Sequence, residues 1–149
     1  MNYNEIVRDF AERTRQNLEY IEQSKQNGSD VYEVTQLVNS LLGLLVFPQQ
    51  RYFNQIPETP IEQLQKDGWP TIVVIGDFQP HQNLKELMRY LRNAIAHFNV
   101  EFIADNEKQL QGIKVWNKRG SQITWKAEIS LNELRMIVEK FTELILQES

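Results

Sequence analysis

The chain has 149 residues, a formal net charge of −4 and 41% hydrophobic residues, which suits one core in a single domain over 1–149. It has no cysteine, which removes disulfides, cysteine-based zinc sites, iron–sulfur clusters and thiol nucleophiles, and its two histidines, His81 and His97, are too few for the common histidine-rich metal sets. The acidic balance argues against coating nucleic acid by bulk charge and leaves room only for a local site.

From Asn4 to Lys25, the residues Ile6, Val7, Phe10, Thr14, Leu18 and Ile21 recur at three- and four-residue steps, the period of an amphipathic helix. Asn27-Gly28-Ser29-Asp30 breaks it, and Asp30 is expected to cap a second helix running from Val31 until Pro48 stops it. That helix becomes almost wholly apolar toward Leu45, as a helix at the centre of a bundle does. The stretch from Pro48 to Asn83 is irregular and rich in proline. Within it, Thr59-Pro60 opens one short helix that is expected to be capped by Thr59 and closed by Gly68, and TIVVIGD at 71–77 reads as a short strand or an extended packing segment.

A helical period returns from Asn83 to Phe98, carried by Leu84, Leu87, Met88, Leu91, Ile95 and Phe98. VEFIAD, IKVWNK and SQITWKAEI then alternate as strands do, with Lys118-Arg119-Gly120-Ser121 as the turn between the last two. Ser130-Leu-Asn-Glu133 is a capping box opening a final helix with Leu134, Ile137, Val138, Phe141 and Ile145 on its core side. The expected architecture is mainly α: four main helices in a bundle with a small antiparallel β-hairpin or sheet before the last. No run approaches the roughly 20 apolar residues of a membrane span. The polar N-terminus does not read as a signal peptide, so a cytoplasmic location is expected.

The stretch that carries chemistry is Leu91-Arg92-Asn93-Ala94-Ile95-Ala96-His97-Phe98. On a helical wheel the apolar residues share one direction, whereas Arg92, Arg89, Asn93 and His97 lie about 80° to 220° away from Leu84 and face outward. Arg92 and His97, five residues apart, diverge by about 140° and are not neighbours on one helix face. Either the helix ends or distorts before His97, or a second copy packs antiparallel and brings two Arg and two His together. An imidazole exchanges a proton near neutral pH, and a guanidinium holds phosphate oxygens and stabilises transition-state charge. RNA matches that pair, because its 2′-hydroxyl is an internal nucleophile needing a base and a cation but no metal.

At these residues the sequence resembles the HEPN superfamily, whose ribonuclease members carry Arg, a polar residue, three variable residues and His. Here the pattern is Arg92-Asn93-Ala94-Ile95-Ala96-His97. With the apolar helix ending LLGLLVFPQQRYF and a following β-hairpin, it is similar to the compact bacterial, defence- or plasmid-associated branch. The resemblance implies a HEPN-like four-helix bundle that dimerises with its motifs face to face and cleaves RNA without a cofactor. It carries Arg92 and His97 over as the catalytic pair and Asn93 as an accessory group. Arg89, on the same outer face of the wheel, is expected as a substrate or dimer contact rather than a catalyst. Family members act as toxins, antiphage effectors and CRISPR-associated RNases, which brings in an antitoxin or other regulatory partner. Others are non-catalytic modules that bind protein or nucleotide, and that is the rival reading.

Elsewhere the bland roles are expected. His81 is placed at the surface or as a cap, and Gln49 to Tyr52 as a loop packed on the bundle. Trp116 and Trp125 are expected as a cross-strand pair, and Met88 and Met136 at core positions. No glycine pattern matches a nucleotide-phosphate loop.

Overall fold

The computed structural model of the protein describes residues 2–46 and 53–147. Among them run helix α1 (Tyr3–Gln26), α2 (Glu33–Val46), the short α3 (Ile61–Lys66), strand β1 (Val73–Val74) and α4 (Leu84–Ala96). Strands β2 (Val100–Ala104), β3 (Leu110–Arg119) and β4 (Gln122–Ser130) follow, and α5 (Leu131–Gln147) closes the chain. Mainly α is therefore the observed class, with an antiparallel sheet in the order β1-β4-β3-β2.

Local chemistry sets most boundaries. Asn2 and Glu5 form a reciprocal capping box at the start of α1, and Ser130 and Glu133 form another at the start of α5. The Asn83 side chain accepts the Glu86 N–H and opens α4. Two expected caps fail. Asp30 lies ahead of α2, whose first intrahelical bond runs from the Gln36 N–H to the Tyr32 carbonyl. Thr59 does not cap α3 either; its carbonyl takes the N–H of Leu84 at 2.9 Å, and Pro60 occupies the cap position. That bond, with Ile61 N–H donating to the Gln82 carbonyl, ties the start of α4 to the start of α3. The expected stop at Pro48 and the loop at Gln49 to Tyr52 lie outside the described residues.

Helix α2 touches each of the other long helices, α1, α4 and α5. Its Leu37, Leu41, Leu44 and Leu45 are buried, but Leu42 and Val46 are exposed, so it is not buried all round as expected. Met136 is likewise exposed rather than core. The sheet is more than an appendage. Ile113 and Val115 of β3, with Trp125, Ala127 and Ile129 of β4, are buried in the same apolar cluster as the helices. Facing pairs Ile113–Ile129 and Val115–Ala127 make that one inner face.

The register overturns the expected tryptophan pair. Trp125 pairs with Asn117, and Trp116 with Lys126. One residue of register separates the two indoles, so they occupy opposite faces of the sheet; Trp125 is buried and Trp116 is half-buried.

Gly112 is required by close backbone approach. A Cβ there would lie 2.2 Å from the carbonyl oxygen of Ile129 on the paired strand, and backbone cannot swing aside as a side chain can. Gly112→Ala is expected to cost about 2 kcal/mol. The corresponding fall in thermal midpoint, read by circular dichroism, is about 4–8 °C.

Candidate functional site

Helix α4 decides where the motif residues point. Leu84, Leu87, Met88, Leu91, Ala94 and Ile95 are buried along one face, as the wheel requires. Ala96 and His97 are exposed, and Arg92 and Asn93 are half-buried beside the core stripe.

The helix stops after Ala96, and His97 is its C-cap with φ −91° and ψ 6°. The Phe98 N–H donates to the Ile95 carbonyl at 3.0 Å and the Asn99 N–H to the Ala94 carbonyl at 2.7 Å. This is the Schellman pattern, which needs a left-handed residue one place beyond the cap. Glycine usually fills that place; here it is Phe98, with φ +58°. Phe98 is therefore not the last core residue of α4, as its period implied, but 81% exposed. The helix ends at His97, but this does not bring His97 to Arg92: its N–H still donates to the Asn93 carbonyl at 3.1 Å, so His97 keeps its place on the helix and only the chain beyond it turns away.

The motif residues divide between two environments. The Arg92 guanidinium lies over the ring of buried Phe53, 4.1 Å from its centroid. Cation–π attraction there grows as the group is desolvated. Burial, and secondarily repulsion from Arg89, lower Arg92 from its ordinary guanidinium range, so an anion arriving between the two arginines would relieve like-charge repulsion. Arg89 is exposed and sits 5.6 Å from the Tyr90 ring centroid. Asn93 and His97 instead line an open groove of about 820 Å³ together with Tyr90 and Asn99. Its opposite wall is the tip of the β3–β4 hairpin, through Asn117, Lys118, Arg119 and Thr124. One chain thus brings His97 and Asn93 together; Arg92 does not line that groove.

The hairpin wall was missed in the sequence, where Lys118 and Arg119 read only as a turn. Gly120, with φ +64°, takes the first central position of a two-residue loop, the φ expected there of a type II′ turn. The β3–β4 register shifts between Asn117 and Lys118, leaving Thr124 as the extra residue. Strict alternation would send consecutive residues to opposite faces; the break and the turn let Asn117, Lys118 and Arg119 all reach the groove.

His81 corrects a second expectation. It is buried, with its ring edge-on to Trp125 at 5.9 Å. Trp125 also packs on Tyr90, at 5.4 Å, and the Tyr90 hydroxyl donates to Glu86 at 2.9 Å. Burial raises the Tyr90 phenol, and the Glu86 carboxylate adds to that. His81 Nδ1 and Trp125 Nε1 find no hydrogen-bond partner among the described residues. Among those residues no group of three or more His, Asp or Glu is arranged to hold a metal ion, and no helix is long and apolar enough to cross a membrane.

A family model described as HEPN pEK499 p136 matches the chain over residues 1–149. No curated protein and no solved structure matches it.

Two outcomes follow from this geometry. Desolvation lowers the His81 pKa and Glu86 only partly opposes it, so the unfolded chain binds the extra proton first as pH falls. Stability contributed by neutral His81 is present above the unfolded value near 6.5. It declines below that pH, by at most about 1.4 kcal/mol per pH unit. The stability difference between His81→Phe and wild type, from urea melts, should therefore shift in favour of the variant between pH 6.5 and 5.5. Left-handed Phe98 costs about 1 kcal/mol that glycine would avoid. Phe98→Gly should raise the thermal midpoint by about 2–4 °C, read by calorimetry.

Proposed function

The chain belongs to the HEPN family along its whole length, and from that premise we propose that it is a metal-independent endoribonuclease whose composite Arg/His site forms at a homodimer interface. The observation that carries this reading is the Arg92-Asn93-Ala94-Ile95-Ala96-His97 motif at the C-terminal end of α4, with His97 at the cap and lining an open groove. The four long helices are read as the HEPN bundle of a single domain over 1–149. A second copy placed across α4 supplies what one chain separates, an Arg92 guanidinium facing a His97 imidazole.

In this mechanism His97 takes the proton from a ribose 2′-hydroxyl. The 2′-oxygen attacks the adjacent phosphorus, and the bond from phosphorus to the 5′-oxygen breaks. An imidazolium, from the same His97 or its copy, returns a proton to the leaving 5′-oxygen. The products are a 2′,3′-cyclic phosphate and a 5′-hydroxyl. Arg92 holds the phosphate oxygens and stabilises the charge that grows on them, Asn93 orients substrate by its amide, and Arg89 steers the phosphate or closes the dimer. The biological setting that fits is a cytoplasmic toxin or antiphage effector restrained by an antitoxin or other regulatory partner.

A second reading, a non-catalytic HEPN module that binds protein or nucleotide, draws on one observation. Arg92 is engaged with Phe53 and lies outside the groove that holds His97. An RNA panel incubated in EDTA with wild type, Arg92→Ala and His97→Ala decides between them. The catalytic reading expects cleavage by wild type and at least a hundredfold loss in each variant, with all three proteins dimeric. Cleavage that EDTA abolishes and Mg²⁺ restores would sink the mechanism. An Arg92→Ala protein that loses its dimer favours the module.

A further inference from the structure

We propose that the β3–β4 hairpin tip and the end of α4 form one subsite for single-stranded RNA: Lys118 and Arg119 hold its phosphates, and Phe98 stacks on a base. This deepens the ribonuclease reading and rests on it only for the identity of the reacting group.

The groove has the composition such a strand needs. Lys118, Arg119 and His97 line it, and among the described residues no carboxylate does. Both Lys118 and Arg119 are exposed, and neither makes an ion pair with a described residue, so their charge is available to a ligand. This is the local cationic site that a chain of net charge −4 requires if it is to bind a polyanion at all. Asn93, Asn99 and Asn117 surround those cations. Each amide offers two donors and an acceptor, the complement of ribose hydroxyls and of base edges. Base edges are open to such contacts when the strand is unpaired.

Phe98 supplies the remaining element. It stands between two groove residues, His97 and Asn99, exposed and held in a conformation that a bulky side chain adopts at a cost. The Schellman bonds need only a left-handed backbone, which glycine supplies without strain, and the 81% exposed ring gains too little packing on the described residues to repay the choice of phenylalanine. A base stacked on the ring would, because stacking on an aromatic face is worth about 1–3 kcal/mol and tolerates any sequence. A backbone strained at an exposed aromatic next to the motif histidine points to a ligand contact. The hairpin is suited to its part, since a two-residue loop fixes the backbone from which both cations project.

Binding can be measured without cleavage. A 12-nucleotide 2′-O-methyl RNA has no free 2′-hydroxyl to attack, and its fluorescence anisotropy reports affinity alone. Wild type should bind the single strand at least tenfold more tightly than the same sequence annealed into a duplex. Lys118→Ala/Arg119→Ala should weaken single-strand binding at least tenfold. Its slope of log affinity against log salt should fall by about 1.4, the loss of two phosphate contacts. Phe98→Ala should weaken binding at least fivefold with an unchanged salt slope, and Arg8→Ala/Lys108→Ala, the same loss of charge elsewhere, should bind as wild type. Equal affinity for single strand and duplex, equal binding of a polyphosphate chain, or a hairpin variant within twofold of wild type would each overturn the proposal. The two readings fail separately. RNA cut in EDTA by a hairpin variant that binds as wild type refutes the subsite and leaves the nuclease; hairpin-dependent binding by a chain that cuts no RNA refutes the nuclease and leaves the subsite.

Discussion

The left-handed turn at Phe98 is the constraint on which the site depends. Two hydrogen bonds from Phe98 and Asn99 back to Ile95 and Ala94 end α4 within one residue, and everything beyond follows a new direction. His97, whose N–H still donates to the Asn93 carbonyl at 3.1 Å, is the last residue in helical register, about 140° around from Arg92. The stop just beyond it leaves the imidazole at the mouth of the groove. Asn99 then leads directly into β2, and its carbonyl accepts the Trp116 N–H at 3.2 Å, which fastens the end of the helix to the sheet. The same few atoms terminate a helix and start a strand beside the imidazole.

Charge is distributed to match. The cavity of about 270 Å³ among α1, α2 and α5 is lined by Glu19, Glu22, Glu33, Glu139 and Glu143, offset in part by Arg15 and Arg135. Arg135 pairs there with Glu33 and, at 3.8 Å, with Glu22. Acid thus collects in a cavity among the helices, while among the described residues no carboxylate lines the α4–hairpin groove. An overall negative charge and a binding site for a polyanion are compatible when the two signs are segregated, because screening over about 10 Å isolates one face from the other.

Much of this was legible in the residues. The 3.6 period found Leu84, Leu87, Met88, Leu91 and Ile95 on the buried face of α4, the alternation found β2, β3 and β4, and Ser130 with Glu133 marked the start of α5. The period failed at Phe98 because it reports which face a residue occupies, not where the helix stops, and no glycine stands at the stop. The switch to alternation at Val100 was the available signal, since a chain entering a strand there has to leave its helix by Phe98. Register was illegible for a related reason. Trp116 and Trp125 lie in adjacent strands, but which residue faces which depends on the turn and the bulge, and a single residue moves an indole from one face to the other. Lys118 and Arg119 carried a visible charge, yet nothing in the sequence said that their hairpin would fold back beside α4. That proximity comes from Trp125, a tertiary contact.

Trp125 gives the groove a fixed width. It neighbours Thr124 on the hairpin wall and packs against Tyr90 on the helix wall, so one buried indole braces both sides. His81 presses on it from the segment that leads into α4. On the proposed reading the cleft is a gauge: its span is set from within the core, and a strand would be admitted by thickness before any of its bases is tested. Changes to the hairpin tip would alter what the gauge grips, and changes to the indole would alter the gauge itself.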